Sequence, residues 1–300
     1  MNSMTPLSIA VIGPGAIGSA FAYRLALAGH DVTVVARPGS ARLQQLTRDH
    51  GVIDKAGMQA AMRVADQLDP QTAYDLVVVT TLAHQVDAVL PTLQASKAKC
   101  VQFMFNTFDP ERLRDAMGDD RCSFGMPFVM ATLDDEGRLS STVSASRKTL
   151  HSDQRWVDLF QAADIPSAFD VNMPLWLRCH APMCVAMEAI SVAGVRRGGG
   201  ATWAQAMIIA RGLKGGLAIT KGLGYRLYPP AKAALAARPL VLVAGMLWFV
   251  SRIRSFRELL ATGINECRAL ADVMVAAAAE AKLDLPGAVT AVRAMKPSDS

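Results

Sequence analysis

Residues 7–18 read Leu-Ser-Ile-Ala-Val-Ile-Gly-Pro-Gly-Ala-Ile-Gly, an apolar strand running straight into G-x-G-x-x-G. Few short patterns restrict a fold as tightly. The first glycine permits the tight turn, the second lets backbone approach a pyrophosphate, and the third lets the next helix pack on the strand. The helix expected over about residues 16–28 aims its first amides and the positive end of its dipole at phosphate. A second apolar strand at residues 32–36 completes a β-α-β unit. The pattern predicts a dinucleotide site on Gly13, Gly15, Ala16, Ile17 and Gly18.

The end of the second strand bears on which dinucleotide. NAD sites usually place Asp or Glu about 20 residues past the turn, on the ribose hydroxyls. Here the segment is Val35-Ala-Arg-Pro-Gly-Ser-Ala-Arg42, without a carboxylate. Arg37 is a permanent cation with a planar donor fork, which suits the 2′-phosphate of NADPH, and Ser40 and Arg42 are available as further donors. Without a ligand, Arg37 is simply a solvated strand-end residue. NADPH is the expected cofactor.

Three hundred residues bury ample core for one or two domains. The longest apolar run of the second half, residues 239–250, is 12 residues long and too short to span a bilayer. The N-terminus leads directly into the first strand, so no signal peptide and no membrane anchor are expected. The five cysteines (Cys100, Cys122, Cys179, Cys184, Cys267) show no metal-ligand spacing. Their odd number points to reduced thiols in a cytoplasmic protein, and no metal is expected. Residues 1–170 carry 15 Lys and Arg against 19 Asp and Glu, whereas residues 171–300 carry 16 against 7. A basic second half suits an anionic small-molecule substrate. Its basic residues are scattered and few aromatics lie among them, which argues against nucleic acid.

Along the first half, strands expected at 7–12, 32–36, 75–80 and 100–105 alternate with helices at 16–28, 40–48, 84–95 and 110–117. Continuous apolar strands between helices indicate a doubly wound parallel sheet, a Rossmann-like α/β domain. After Gly118, short Ser/Thr/Val runs between turns suggest antiparallel strands completing the sheet. From about Pro174 strand signals vanish, and helices are expected near 182–195, 202–222, 230–250 and 255–282. The expected organisation is a nucleotide-binding domain over 1–170 and an all-helical substrate domain over 171–300. A homodimer is allowed by this organisation and is not specified by it.

Several segments together resemble the ketopantoate reductase family (2-dehydropantoate 2-reductases). These are the glycine turn with Val34-Val-Ala-Arg37, Thr80-Thr-Leu-Ala-His-Gln-Val86, Asn106-Thr-Phe-Asp-Pro-Glu-Arg-Leu113, Gly125-Met-Pro-Phe-Val-Met-Ala-Thr132, Trp176-Leu-Arg178 and Gly263-Ile-Asn-Glu266. The resemblance implies NADPH, a carbonyl substrate, and cofactor contacts from Thr81, Leu82 and Asn106. It places Asn106 on the active-site asparagine, Glu266 on the substrate-binding glutamate and Ser255 near the substrate serine. It also implies departures. The family's catalytic lysine falls on Arg178, its cofactor-side lysine on Leu82, and two substrate-facing asparagines on Pro182 and Ala186.

Arginine keeps its proton at ordinary pH, so Arg178 can stabilise a developing alkoxide or clamp a carboxylate but is a poor proton donor. His180 is the nearest group able to transfer a proton at neutral pH. Residues two apart do not share a helix face, so Arg178 and His180 are not expected to point into one cleft, unless Pro182 kinks or starts the helix. Glu266 must be paired, exposed or protonated, and Arg178 is one candidate partner. His84 and the Arg196-Arg197 pair are weaker candidates; the arginines fit an ordinary helix end capped by glycine. The leading reading is an NADPH-dependent reductase of a 2-oxo acid or related carbonyl, with a substrate other than ketopantoate. The alternative is an NADP(H)-binding sensor or partner-binding protein without reductase activity.

Overall fold

The structure, a computed structural model, describes residues 5–261 and 263–297. The chain divides into two compact units. The first takes residues up to Phe105 together with Glu111–Met173. The second takes Asn106–Pro110 and everything from Pro174 onward. The boundary near residue 173 lies close to the expected one, but five residues from the middle of the first half cluster with the helical unit.

In the first unit the order is β1 (Ser8–Ile12), α1 (Ala16–Leu27), β2 (Asp31–Val35), α2 (Ala41–Arg48), β3 (Gly51–Ile53), β4 (Gln59–Ala61), β5 (Arg63–Ala65), β6 (Leu76–Val79), α3 (Leu90–Ala95) and β7 (Val101–Met104). Then come α4 (Pro110–Met117), β8 (Cys122–Met126), β9 (Val129–Leu133), β10 (Leu139–Val143), β11 (Thr149–His151), α5 (Gln154–Ala162) and β12 (Ser167–Phe169). Eight strands form one sheet in the order β12-β11-β8-β7-β6-β1-β2-β5. The six from β8 to β5 run parallel. Their Val/Ile/Leu content follows from helices covering both faces, which leaves strands such as Leu76–Val79 wholly buried. Phe21 of α1 meets Phe160 of α5 edge to face at 5.1 Å, both fully buried. Each such ring contributes about 1.5–3 kcal/mol of transfer free energy.

The region after Gly118 departs from expectation. β8 continues the parallel sheet, and only β11 joins it antiparallel. β9 and β10 pair with each other in a separate hairpin, whose Val129 and Leu139 belong to the same core as Phe21.

The second unit is all helical: α6 (Met173–Arg196), α7 (Trp203–Gly222), α8 (Pro230–Ala237), α9 (Leu240–Val250), α10 (Arg254–Leu260), α11 (Ile264–Glu280) and α12 (Pro286–Met295). α6 begins nine residues before the expected start and keeps Pro182 inside it. A proline ring there needs lateral space. Gly216 of α7 supplies it, since a Cβ at that position would lie 2.8 Å from Pro182. The expected helix at 230–250 is broken at Arg238-Pro239, because proline restricts the preceding residue to extended backbone. No single described helix is long and apolar enough to cross a membrane.

Candidate functional site

The glycine turn of the first unit is built as its sequence requires. Gly13 adopts a φ of +84°, a region that L side chains rarely occupy, and its amide donates to Val35 O at 3.2 Å. Gly15 caps α1 without any side-chain hydrogen bond. Ser19 N takes Gly15 O as the first rung of the helix, which leaves the amides of Ala16, Ile17 and Gly18 for a ligand. Gly18 packs against Gly13 O and Thr80 Oγ1, and a methyl group there has no room. Just past the end of β6, Thr81 Oγ1 is buried with no hydrogen-bond partner among the described residues. Uncapped amides and an orphaned hydroxyl at the carboxyl ends of β1 and β6 fit a dinucleotide's phosphates and ribose.

The cations beside the turn separate into two roles. Arg42 donates to Pro14 O at 2.9 Å and to Gly137 O at 3.0 Å, and it also binds Gln45 and Ser19. Burial lowers its pKa to about 10. It braces the turn from behind and is not a spare donor for a ligand, contrary to its sequence-based reading. Ser40 Oγ is engaged in capping α2 through Leu43 N. Arg37 stands exposed at the end of β2. Leu82 is half-buried and His84 exposed at the start of the 3₁₀ turn after β6.

In the second unit Asn106 is held at both ends. Its Nδ2 donates to Glu266 Oε1 at 3.2 Å, and its Oδ1 accepts from Cys184 Sγ at 3.1 Å. The two contacts fix which way the amide points. Glu266 sits in the first turn of α11, and burial raises its pKa despite the bond from Asn106. Glu188 of α6 is buried with no hydrogen-bond partner for Oε2 among the described residues, and burial with the neighbouring Glu266 pushes its pKa up to about 9. Two carboxyl groups placed together in low dielectric do not both ionise at neutral pH. Burial likewise keeps the Cys184 thiol protonated, as the donor its bond to Asn106 requires.

Arg178 lies on another side of α6. It is 4% exposed, stacks its guanidinium on Phe108 at 5.1 Å and Tyr225 at 4.3 Å, and pairs with Asp109 at 3.6 Å. The segment Asn106–Pro110 thus reaches α6 and α11 through Asn106, and Arg178 through Phe108 and Asp109. Glu266 is engaged by Asn106 rather than by Arg178. His180 is half-buried against Trp176, with ring centroids 4.3 Å apart, and its Nδ1 lies 2.8 Å from Lys232 Nζ. The helix continues through Pro182, so Arg178 and His180 do not share a face, as the spacing required. Ser255 is exposed on α10.

Three residues of this cluster were not singled out from sequence. Cys184 and Glu188 follow His180 at four and eight residues, a helical stripe that reading through Pro182 reveals. Lys232, in Pro229-Pro-Ala-Lys232, carries no sequence signal at all.

The first unit is a Rossmann-like sheet with an open glycine turn suited to a dinucleotide, and the second is a helical unit with a buried amide and carboxyl cluster. Residues 9–150 match the family described as ketopantoate reductase PanE/ApbA. That match spans just under half of the chain and, apart from Asn106–Pro110, lies within the nucleotide-binding unit. The fold extends this similarity along the whole chain. A D-mandelate dehydrogenase in complex with NADH superposes with a TM-score of 0.71 at 14% identity, covering 96% of this chain and 97% of that one. A PanE/ApbA family ketopantoate reductase from Ralstonia eutropha JMP134 gives 0.69 at 15% identity, covering 96% and 98%. A 2-dehydropantoate 2-reductase from Methylococcus capsulatus gives 0.63 at 18%, covering 97% and 96%. At these identities the likeness shows the fold. Among curated protein sequences no match is found.

Proposed function

We propose that the protein is a cytoplasmic NADPH-dependent reductase of an anionic 2-oxo acid or related carbonyl, with a substrate other than ketopantoate. The observation that carries this reading is the doubly held Asn106. A side-chain amide fixed between Cys184 and Glu266, two residues beyond a parallel strand, is a preorganised group for orienting a reacting centre. When bound, the reduced nicotinamide would supply hydride to the carbonyl carbon. Gly13, Gly15, Ala16, Ile17 and Gly18 would hold its phosphates, with Thr81 and Leu82 beside them, and Arg37 would take the 2′-phosphate. Asn106 orients the substrate, Glu266 binds one of its polar groups, and Arg178 stabilises negative charge. The proton comes from His180 or a bound water. All five cysteines are free thiols, which suits a reducing compartment.

The test is nicotinamide absorbance with NADPH and NADH over a panel of alkyl and aryl 2-oxo acids, alongside Arg37→Ala. Losing charge-assisted hydrogen bonds worth about 1.5–3 kcal/mol should weaken NADPH binding roughly tenfold to a hundredfold and leave NADH unchanged. Equal affinity of the wild type for both cofactors refutes the NADPH assignment. Tight NADPH binding with no turnover of any carbonyl supports the non-catalytic alternative instead. Activity gained by Arg178→Lys would then show that arginine had displaced a proton donor from a competent site.

A further inference from the structure

We propose that Lys232 is the proton reservoir behind His180: as His180 gives its Nε2 proton to the substrate oxygen, Lys232 refills the ring through Nδ1. The inference rests on reading the cluster as a carbonyl-reducing site, and it adds a residue outside every matched motif.

Lys232 lies in the first turn of α8 and is 7% exposed, rare for a lysine. Among the described residues no carboxylate pairs with it. Its Nζ donates to His180 Nδ1 at 2.8 Å and to Cys179 O at 3.3 Å, and stands 5.1 Å from the centre of the Trp176 ring. A buried ammonium without a counter-ion is unfavourable by several kcal/mol, and a methionine would fill the same space without that penalty. Satisfying a backbone carbonyl beside the Pro182 irregularity explains the longer contact. It does not explain the shorter one, made to a ring nitrogen.

That shorter contact decides the tautomer. An ammonium has only protons to give, so Nδ1 holds the lone pair and the ring proton sits on Nε2. Among the described residues Nε2 makes no hydrogen bond. Trp176 stacks on the ring and fixes its plane. Burial and the Lys232 charge hold His180 well below its ordinary range, so the ring is neutral at pH 7. Burial lowers Lys232 to about 8, near the working pH, where a proton moves in either direction. The titratable groups acting on Lys232 are His180, Cys179 and Cys184, all on α6, and burial keeps both thiols protonated. His180, Cys184 and Glu188 share a face of α6, and Cys184 bonds Asn106. The imidazole is therefore one helical turn from Cys184, the thiol that holds the Asn106 amide.

The step balances. The carbonyl carbon takes hydride, the π pair moves to oxygen, and that oxygen takes the Nε2 proton. The Lys232 N–H bond breaks as Nδ1–H forms; the amine then takes the Nδ1 proton back as Nε2 regains one from water, which restores the Nε2–H tautomer.

Lys232→Met and Lys232→Arg test the proposal. Arginine keeps the charge and the donor but does not release a proton at neutral pH. Both should lower kcat by about a hundredfold, the low end of general acid contributions, with KM for the 2-oxo acid and NADPH affinity little changed. Wild-type kcat should fall above pH of about 8, and both variants should lack that limb. By ¹⁵N NMR, wild-type His180 should be the Nε2–H tautomer, and Lys232→Met should lose that preference. Full kcat in Lys232→Met, full kcat in Lys232→Arg, or an Nδ1–H ring in the wild type overturns the relay while leaving the reductase reading intact. Absence of turnover in the wild type overturns both. Should Lys232→Met not fold, the wild-type tautomer and pH limb decide alone.

Discussion

Glu188 is a carboxyl group that the folded chain keeps protonated, and Glu188→Gln turns that into a measurable stability difference. The side chain is 9% exposed, Oε2 has no partner among the described residues, and Gly263 of the neighbouring turn approaches so closely that a Cβ there would lie 2.5 Å from Oε1. Burial is the first cause of the raised pKa of about 9, and the neighbouring Glu266 the second. The ordinary value is 4.5. Between these two values the folded protein holds a proton that the unfolded chain has released. Stability therefore falls as pH rises through that window. The slope limit is about 1.4 kcal/mol per pH unit, so raising pH from about 5.5 to about 8 removes up to roughly 3 kcal/mol. Glutamine keeps the shape and does not titrate. The stability of Glu188→Gln relative to wild type should grow by roughly 2–3 kcal/mol across that range, or about 5–10 °C in Tm. Urea unfolding followed by tryptophan fluorescence is the assay, since Trp176, Trp203 and Trp248 all report on the helical unit. Taking the difference between variants cancels the titrating groups that do not interact with Glu188; Glu266, which does, is the one that remains coupled. Parallel pH profiles for the two proteins would show that Glu188 ionises normally, and the buried-acid account would be wrong.

Two more expectations follow from groups outside that pair. Gly18→Ala places a methyl within 2.5 Å of Gly13 O and closer still to Thr80 Oγ1, so α1 must shift. It should lose about 1–3 kcal/mol in urea unfolding and bind NADPH more weakly, and wild-type behaviour on both counts would refute the close packing. His151 is buried on the Phe160 ring at 4.6 Å, bonded to Gln102 and Ser167, with its pKa lowered to about 3. His180 is also depressed, so below about pH 6.5 the unfolded chain binds protons that the fold refuses. The histidines' contribution should be complete above that pH and should decline as pH falls; urea midpoints of Glu188→Gln, where the opposing carboxyl is removed, that stay unchanged between about pH 7 and about pH 5 would contradict it.

The nucleotide-binding half was legible because its constraints are local. A glycine with positive φ, a helix packed on a strand and a buried parallel strand each leave a mark within a few residues. The marks fade where strands shorten. β3, β4 and β5 are three residues each, with polar positions among them, and no expected strand covers them. Pro182 concealed the start of α6, because the chain-local rule against proline is overridden by the space that Gly216 provides. Site residues sort the same way. Asn106 and Glu266 were found by motif, and the structure brings them within hydrogen-bonding distance. Arg178 was found by motif too, yet helical periodicity separates it from the Cys184 stripe. Lys232 was invisible, since burial of a lysine depends on the elements packed around it. Arg42 was misread because its acceptors, Pro14 O and Gly137 O, lie 28 and 95 residues away.

The assignment of Asn106–Pro110 to the helical unit has a consequence for modularity. Phe108 is a fully buried member of the helical core, although the gene encodes it between two pieces of the nucleotide fold. A helical domain cut out at residue 171 would lack that ring, the Asp109 partner of Arg178 and the amide between Cys184 and Glu266. The two units are therefore not interchangeable cassettes. Shuffling the helical half between relatives, in evolution or in the laboratory, must carry this five-residue insert along, and changes in α6 or α11 should be sought together with changes at 106–110.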